Sequence, residues 1–235
     1  MSAAEILAEL KPLAKESYKK ILLNHGVSEP VWGVSIEQLK KIQKRIKKDY
    51  QLALDLYDTG IYDAMYLAGL VADDARMTKK DLERWVKQAS SEALCSYTVA
   101  WVAAESNHGW ELALKWIDSK KPGVASAGWS TLVSLMSIKA DSELDLPTLK
   151  QLLQRVESTI HDAPNSVRYA MNMFVIGLGS YVKPLAPLAM AAGKKIGKVT
   201  VDVGNTACKV PYAPDYIKKV QERGTVGKKR KTCKC

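Results

Sequence analysis

The sequence predicts an all-α protein of stacked helix pairs, an α–α superhelix, on three observations. Apolar residues recur at helical spacing almost everywhere before residue 195, and β-branched runs of period two are missing there. Turn signals cut the chain into segments of helical length. The run Leu52-Ala53-Leu54-Asp55-Leu56-Tyr57-Asp58 returns as Leu112-Ala113-Leu114-Lys115-Trp116-Ile117-Asp118, an offset of 60 residues with room for one further repeat between. A compact helical bundle is the competing architecture.

The first strongly patterned element is residues 35–50. Ile36, Leu39, Ile42 and Ile46 form one stripe, while Lys40, Lys41, Lys44, Arg45, Lys47 and Lys48 occupy much of the remainder, giving an amphipathic, basic helix. Four candidate pairs follow: 52–57 with 62–72, 78–89 with 93–105, 110–117 with 124–138, and 148–160 with 166–181. Thr59-Gly60, Lys121-Pro122-Gly123 and Asp162-Ala163-Pro164-Asn165 punctuate them. Pro164 cannot continue a helix, and Asn165 or Ser166 can cap the next one. A lone pair cannot bury both apolar sides, so pairs stack, with the second helices lining a concave face. Ala64, Ala68 and Gly69, then Ala100, Ala103 and Ala104, then Ala125, Ala127 and Gly128 let those second helices pack closely.

Residues 1–198 therefore read as the repeat domain, ending in a terminal cap, and 199–235 as a basic, mostly irregular extension. Within it, 216–223 suits one short basic helix and 224–235 a flexible basic tail.

The net charge of +10 is concentrated there: from residue 183 onward 13 Lys and Arg face 3 Asp and Glu, whereas residues 1–182 hold 22 of each. A polyanionic partner follows from that excess. At 47% hydrophobic and 26% charged, the composition excludes a globally disordered chain. No apolar run approaches the roughly 18 residues of a membrane helix, and the N-terminus lacks a secretory pattern, so no membrane and a cytoplasmic location are expected. Cys95, Cys208, Cys233 and Cys235 form no disulfide framework, and the Cys233-x-Cys235 pair has neither a nearby His nor a second ligand pair; reduced thiols and no metal are expected. Gly177-x-Gly179 lies within a predicted helix and lacks the phosphate-cradling pattern, so no nucleotide cofactor is implied.

The run Glu29-Pro30-Val31-Trp32-Gly33-Val34-Ser35 leading into the basic helix resembles the opening motif of the HEAT-like DNA alkylation repair family. Tyr62-Asp63-Ala64-Met65-Tyr66-Leu67-Ala68, Glu105-Ser106-Asn107, Ser126-Ala127-Gly128-Trp129 and Arg168-Tyr169-Ala170-Met171-Asn172-Met173-Phe174 extend the resemblance over most of residues 28–182. It implies a HEAT-like helical-repeat solenoid. Active members, the AlkD-like DNA glycosylases, release cationic alkylpurines: the charged base is already a good leaving group, and a carboxylate beside the sugar stabilises oxocarbenium character or orients water. In the family a Trp and an Asp one helical turn apart occupy the third repeat's second helix. The best register puts Glu92 and Ser96 at those positions, Ser126 near the family's phosphate-binding Arg and Met173 near its second groove Trp. This chain thus resembles a divergent member without the usual catalytic pair.

Glu105 is the candidate substitute acid, the alternative being a solvated or capping helix-end carboxylate. Trp129, like Trp101, either faces a DNA groove or wedges between repeats. Arg168 and Asn172, four apart on one helix face, suit a phosphate and a sugar or base edge, or else a network between repeats. Lys40, Lys44 and Arg45, together with Lys228, Lys229 and Arg230, are the candidate phosphate contacts, the alternative for the helix being a solvated face. Three functions remain open: an alkylpurine glycosylase, a non-catalytic relative binding distorted or branched double-stranded DNA, and a protein-interaction scaffold.

Overall fold

The computed structural model describes residues 1–234 and contains no strand among them. Helices α1 (Ala3–Leu10) and α2 (Glu16–Asn24) precede the basic helix α3 (Ile36–Ile46). The pairs follow as α4 (Tyr50–Asp58) with α5 (Tyr62–Val71), and α6 (Lys79–Gln88) with a π-helical segment (Leu94–Val99) that runs into α7 (Ala100–Glu105). Then come α8 (Gly109–Trp116) with α9 (Pro122–Ile138), and α10 (Leu146–Thr159) with α11 (Asn165–Tyr181). Helix α12 (Ala186–Ile196) closes the array, and α13 (Ala213–Glu222) packs back onto α11 and α12.

Local chemistry sets the boundaries. Helix α3 stops short of the predicted residue 50 because Lys47 takes φ 65° and Asp49 turns its carboxylate to the Leu52 N–H at 3.0 Å, capping α4 instead. Thr78 and Asp81 form a reciprocal capping box at α6. Asp145 caps α10.

The first helices are joined interface by interface. Tyr57 of α4 stacks on Trp85 of α6 with ring centroids 4.1 Å apart, and its hydroxyl donates to the Trp85 carbonyl at 2.9 Å. Exposed ion pairs repeat the connection: Asp58–Arg84, Glu83–Lys115, Asp118–Arg155 and Glu157–Lys195 each bridge successive pairs. Such pairs contribute little individually, so the stack rests on burial. The second helices carry that burial. Every residue of α5 is buried, and α9 meets α8 so closely that a Cβ at Gly128 would stand 2.7 Å from the Ile117 nitrogen. Two contiguous apolar clusters result, one from α1 to α9 and one from α8 to α13.

The opening motif is tied down by one buried carboxylate. Asp63, on α5 and fully buried, accepts the Trp32 and Val34 N–H groups, each at 2.7 Å. Gly33 between them has φ +84°, and its Cβ position lies 2.5 Å from the Lys19 nitrogen, a space that no side chain can share. Replacing Asp63 by Ala strands two buried donors and should lower the unfolding free energy by about 3 kcal/mol in denaturant melts. Asp63→Asn, which keeps one acceptor oxygen, should fall between. A wild-type midpoint for Asp63→Ala would show that the loop is held by other contacts.

Candidate nucleic-acid interface

The second helices enclose a cleft of about 770 Å³ together with α13 and the chain end. Its walls are aromatic and aliphatic: Tyr97 and Trp101 from the π segment and α7, Val133 from α9, and Tyr169, Met173 and Tyr181 from α11. Hydroxyls of Ser96, Ser130, Ser134, Ser137 and Ser180 punctuate them, and Lys228, Lys229 and Arg230 stand along one side. No Asp or Glu among the described residues lines it. Tyr97 is 47% exposed, and its ring lies 5.4 Å from that of Trp101, which in turn meets Tyr66 edge-on at 5.9 Å. Burial, aided by the nearby Tyr97, Cys208 and Tyr216, raises the Tyr169 phenol above its usual range, so it stays a neutral donor.

The π segment shapes this wall. Its wider turn places Ser96 and Tyr97 in the cleft while Leu94, Cys95, Thr98 and Val99 remain buried. The register from sequence led to this same region. Glu92 and Ser96 meet Ser126: Ser96 Oγ donates to Glu92 at 2.7 Å, Ser126 Oγ makes a shorter bond to the same carboxylate oxygen, and the two hydroxyls are 3.1 Å apart. Met173 lines the same cleft as Ser96. Three substituted positions thus form one hydrogen-bonded group.

The chain end departs from a flexible tail. Gly227 N–H donates to the Ser180 carbonyl at 2.9 Å and Arg230 N–H to the Ser137 carbonyl at 2.7 Å. Lys229 Nζ reaches the Met136 and Tyr181 carbonyls at 2.9 and 2.7 Å and pairs with Asp141 at 2.8 Å. Thr232 Oγ1 and Cys233 N–H, the latter at 2.9 Å, donate to Glu105. Lys234 then pairs with the buried Asp74 at 2.6 Å, opposite Lys48 at 3.1 Å. Carboxylates and helix-end carbonyls some 50 to 160 residues away in sequence capture this segment, which is why its composition alone read as mobile.

These contacts reassign several predicted site residues. Glu105 is half-buried and bound by the tail; burial raises its carboxyl, but the Thr232 and Cys233 donors and Lys234 outweigh it and hold the group below the usual carboxylate range. Lys229 is spent on helix ends, whereas Lys228 and Arg230 are exposed at the cleft and pair with no carboxylate among the described residues. Trp129, predicted as a DNA contact, is instead fully buried, edge-on to Phe174 at 5.1 Å with the Arg155 guanidinium 5.7 Å from its centroid. Arg168 and Asn172 form the alternative network. Arg168 donates to the Ala163 and Thr200 carbonyls, both at 2.9 Å, and buried Asn172 to the Pro211 carbonyl at 2.8 Å. With Asn165, which exchanges two 2.8 Å bonds with Asp202, they hold the extension against α11. Arg45 is paired with Glu9, while Lys40 and Lys44 line a separate shallow crevice on α3.

Cys233 is buried and its thiol donates to Glu105 at 3.3 Å and the Trp101 carbonyl at 3.5 Å; burial and the Glu105 charge push it well up, keeping it protonated. Cys235 lies outside the described residues, and no cluster of three His, Cys, Asp or Glu side chains suited to a metal occurs among them. No single helix among them is long and apolar enough to cross a membrane.

Stacked helix pairs with a cation-edged cleft on their second helices define a HEAT-like repeat protein. The chain belongs to the DNA alkylation repair family: the profile of the DNA alkylation repair enzyme family matches residues 6–197. An uncharacterized protein of Listeria innocua is 33% identical over 220 residues, covering 92% of this chain and 95% of that one. One of Listeria monocytogenes is 34% identical over the same shares. A solved structure, from a family of proteins related to the HEAT-like repeat DNA glycosylases with affinity for branched DNA structures, superposes with a TM-score of 0.92 at 37% identity, covering 100% of both chains.

Glu105 makes tail docking pH-dependent. A carboxyl held below its unfolded value stabilises the docked state above that value, and the contribution is lost as pH falls through the folded one. The Cys233 amide should therefore be protected from hydrogen exchange at neutral pH and lose that protection as the pH falls below the ordinary glutamate range, once intrinsic rates are corrected. Glu105→Ala should lose it at neutral pH. Unchanged protection in that variant would show that Glu105 does not hold the tail.

Proposed function

We propose that this protein binds branched DNA across the face of its second helices and does not excise alkylated purines by its family's route. The observation that carries the reading is the cleft: aromatic walls, serine hydroxyls and the exposed Lys228 and Arg230, with no Asp or Glu among the described lining residues to repel phosphate. The full-length likeness to a protein with affinity for branched DNA supports it. Double-stranded arms meeting at a branch offer closely spaced phosphates to the Lys228 and Arg230 side and unstacked bases to the aromatic wall.

Against base release stand the occupied carboxylates. A glycosylase of this family's kind needs a carboxylate free to face the sugar as positive charge develops. Here Glu92 is engaged by Ser96 and Ser126, and Glu105 by Thr232 and Cys233. A duplex containing N7-methylguanine should accordingly lose base at the spontaneous rate with or without the protein. Release above that rate would restore the glycosylase reading and turn attention to Glu92.

A three-way junction should bind about tenfold more tightly than a linear duplex of equal length, with affinity falling as salt rises. Replacing Lys228 and Arg230 together by Ala should flatten the slope of log affinity against log salt by about 2. Equal affinity for junction and duplex would sink the branched-DNA reading, and an unchanged slope would remove these two side chains from the interface.

A further inference from the structure

The cleft is larger and more apolar than phosphate binding requires. A surface that only grips a DNA backbone needs cations and hydroxyls on an open face, whereas this one encloses about 770 Å³ behind its cationic edge. That volume lies within the 300–1,000 Å³ range typical of small-molecule pockets. We propose that the cleft is a nucleotide pocket that takes up one unpaired nucleotide at the branch point, its base against Tyr97 and Tyr169 and its phosphate at Lys228 and Arg230. The inference rests on the branched-DNA reading and specifies which part of the branch is held.

The assignment follows from the chemistry of the lining. Tyr97 and Tyr169 line the cleft from the π segment and α11, which both pack on α9, and an aromatic ring there can stack on a base of any sequence. Between them Ser130 and Ser134 of α9 bring hydroxyls that donate or accept, suited to a base edge without selecting one base. Lys228 and Arg230 belong to the segment that the Gly227 and Arg230 backbone bonds pin beside α9 and α11, so their charges sit at a fixed place rather than on a loose tail. Lys228 and Arg230, with no Asp or Glu among the described lining residues, make the pocket complementary to a phosphodiester rather than to a cationic ligand. The branch supplies the occupant cheaply. Extruding a paired base costs a few kcal/mol in unstacking and unpairing, a cost that an already unpaired base largely avoids. A pocket of this kind therefore distinguishes branched from linear DNA by more than charge.

The test uses the full-length protein and three forms of one three-way junction: fully paired, with a single unpaired thymidine at the branch, and with a tetrahydrofuran abasic residue at that position. The unpaired base should raise affinity about tenfold over the abasic form, the effect of one stacked base. Tyr97→Ala with Tyr169→Ala should abolish that difference while both forms still bind, and Tyr97→Phe with Tyr169→Phe should keep it. Equal affinity of the wild-type protein for the unpaired and abasic junctions overturns the pocket but leaves branched-DNA binding standing. No affinity for any of the three junctions overturns both. A difference that survives in the folded double-Ala variant places the base elsewhere and overturns the assignment. The wild-type comparison depends on no substitution, so a variant that fails to fold does not decide the question.

Discussion

Four second helices end in a row, and the carbonyls at those ends need partners. An α-helix leaves its last four carbonyls without intrahelical donors and gathers partial negative charge there. The chain end meets that need at α11, α9 and α5, and at α7 it binds the Glu105 carboxylate instead. It donates to Ser180 and Tyr181 at the end of α11, to Met136 and Ser137 at the end of α9, to Glu105 at the end of α7 and to Ala72 just after α5. One segment of some eight residues thereby spans the width of the array. The buried Asp74 finds its closest cation, Lys234, at the far end of the same segment. A buried carboxylate without such a partner is costly, so tail and array are interdependent.

This constraint divides the basic extension between two duties. Lys229 and Lys234 are consumed inside the molecule, and their attraction to DNA is correspondingly small. Lys228 and Arg230 flank Lys229 and keep their side chains exposed to solvent. The upstream part of the extension is held in a different way. Asn165, Arg168 and Asn172 lie along one side of α11 and bond backbone of residues 200–211, while Ile217 of α13 buries against Gly179. Polar residues that could have met a sugar-phosphate backbone are instead used to fix a wall beside the cleft.

The family's chemistry is altered where the π segment begins. In the resemblance drawn from sequence, an aromatic and a carboxylate one turn apart would face the sugar. Here the register puts Glu92 at the aromatic position and Ser96 at the carboxylate position, and the Ser96 and Ser126 hydroxyls bind Glu92. Lone pairs turned to protein donors are removed from water or an oxocarbenium ion. The cleft surface itself carries hydroxyls, aromatic rings and the Lys228 and Arg230 cations.

Periodicity, turn residues and the 60-residue offset were enough to cut the chain into its pairs, because helix formation and apolar striping are local properties. The residues that the sequence register aligned with the family, Glu92, Ser96 and Ser126, meet in the structure, and Met173 lines the same cleft as Ser96. Direction and partnership were not legible. Whether Trp129 faces DNA or the core depends on the rotation of α9 against α11, and Phe174 and Arg155 decide it. The basic tail read as loose because its partners Asp141, Glu105 and Asp74 lie 88 to 160 residues upstream. Electrostatic pairing over such separations is set by where folding brings the groups, and composition carries no record of it. Sequence determined the helices and the sign of the surface; tertiary structure decided which charges are free to meet another molecule.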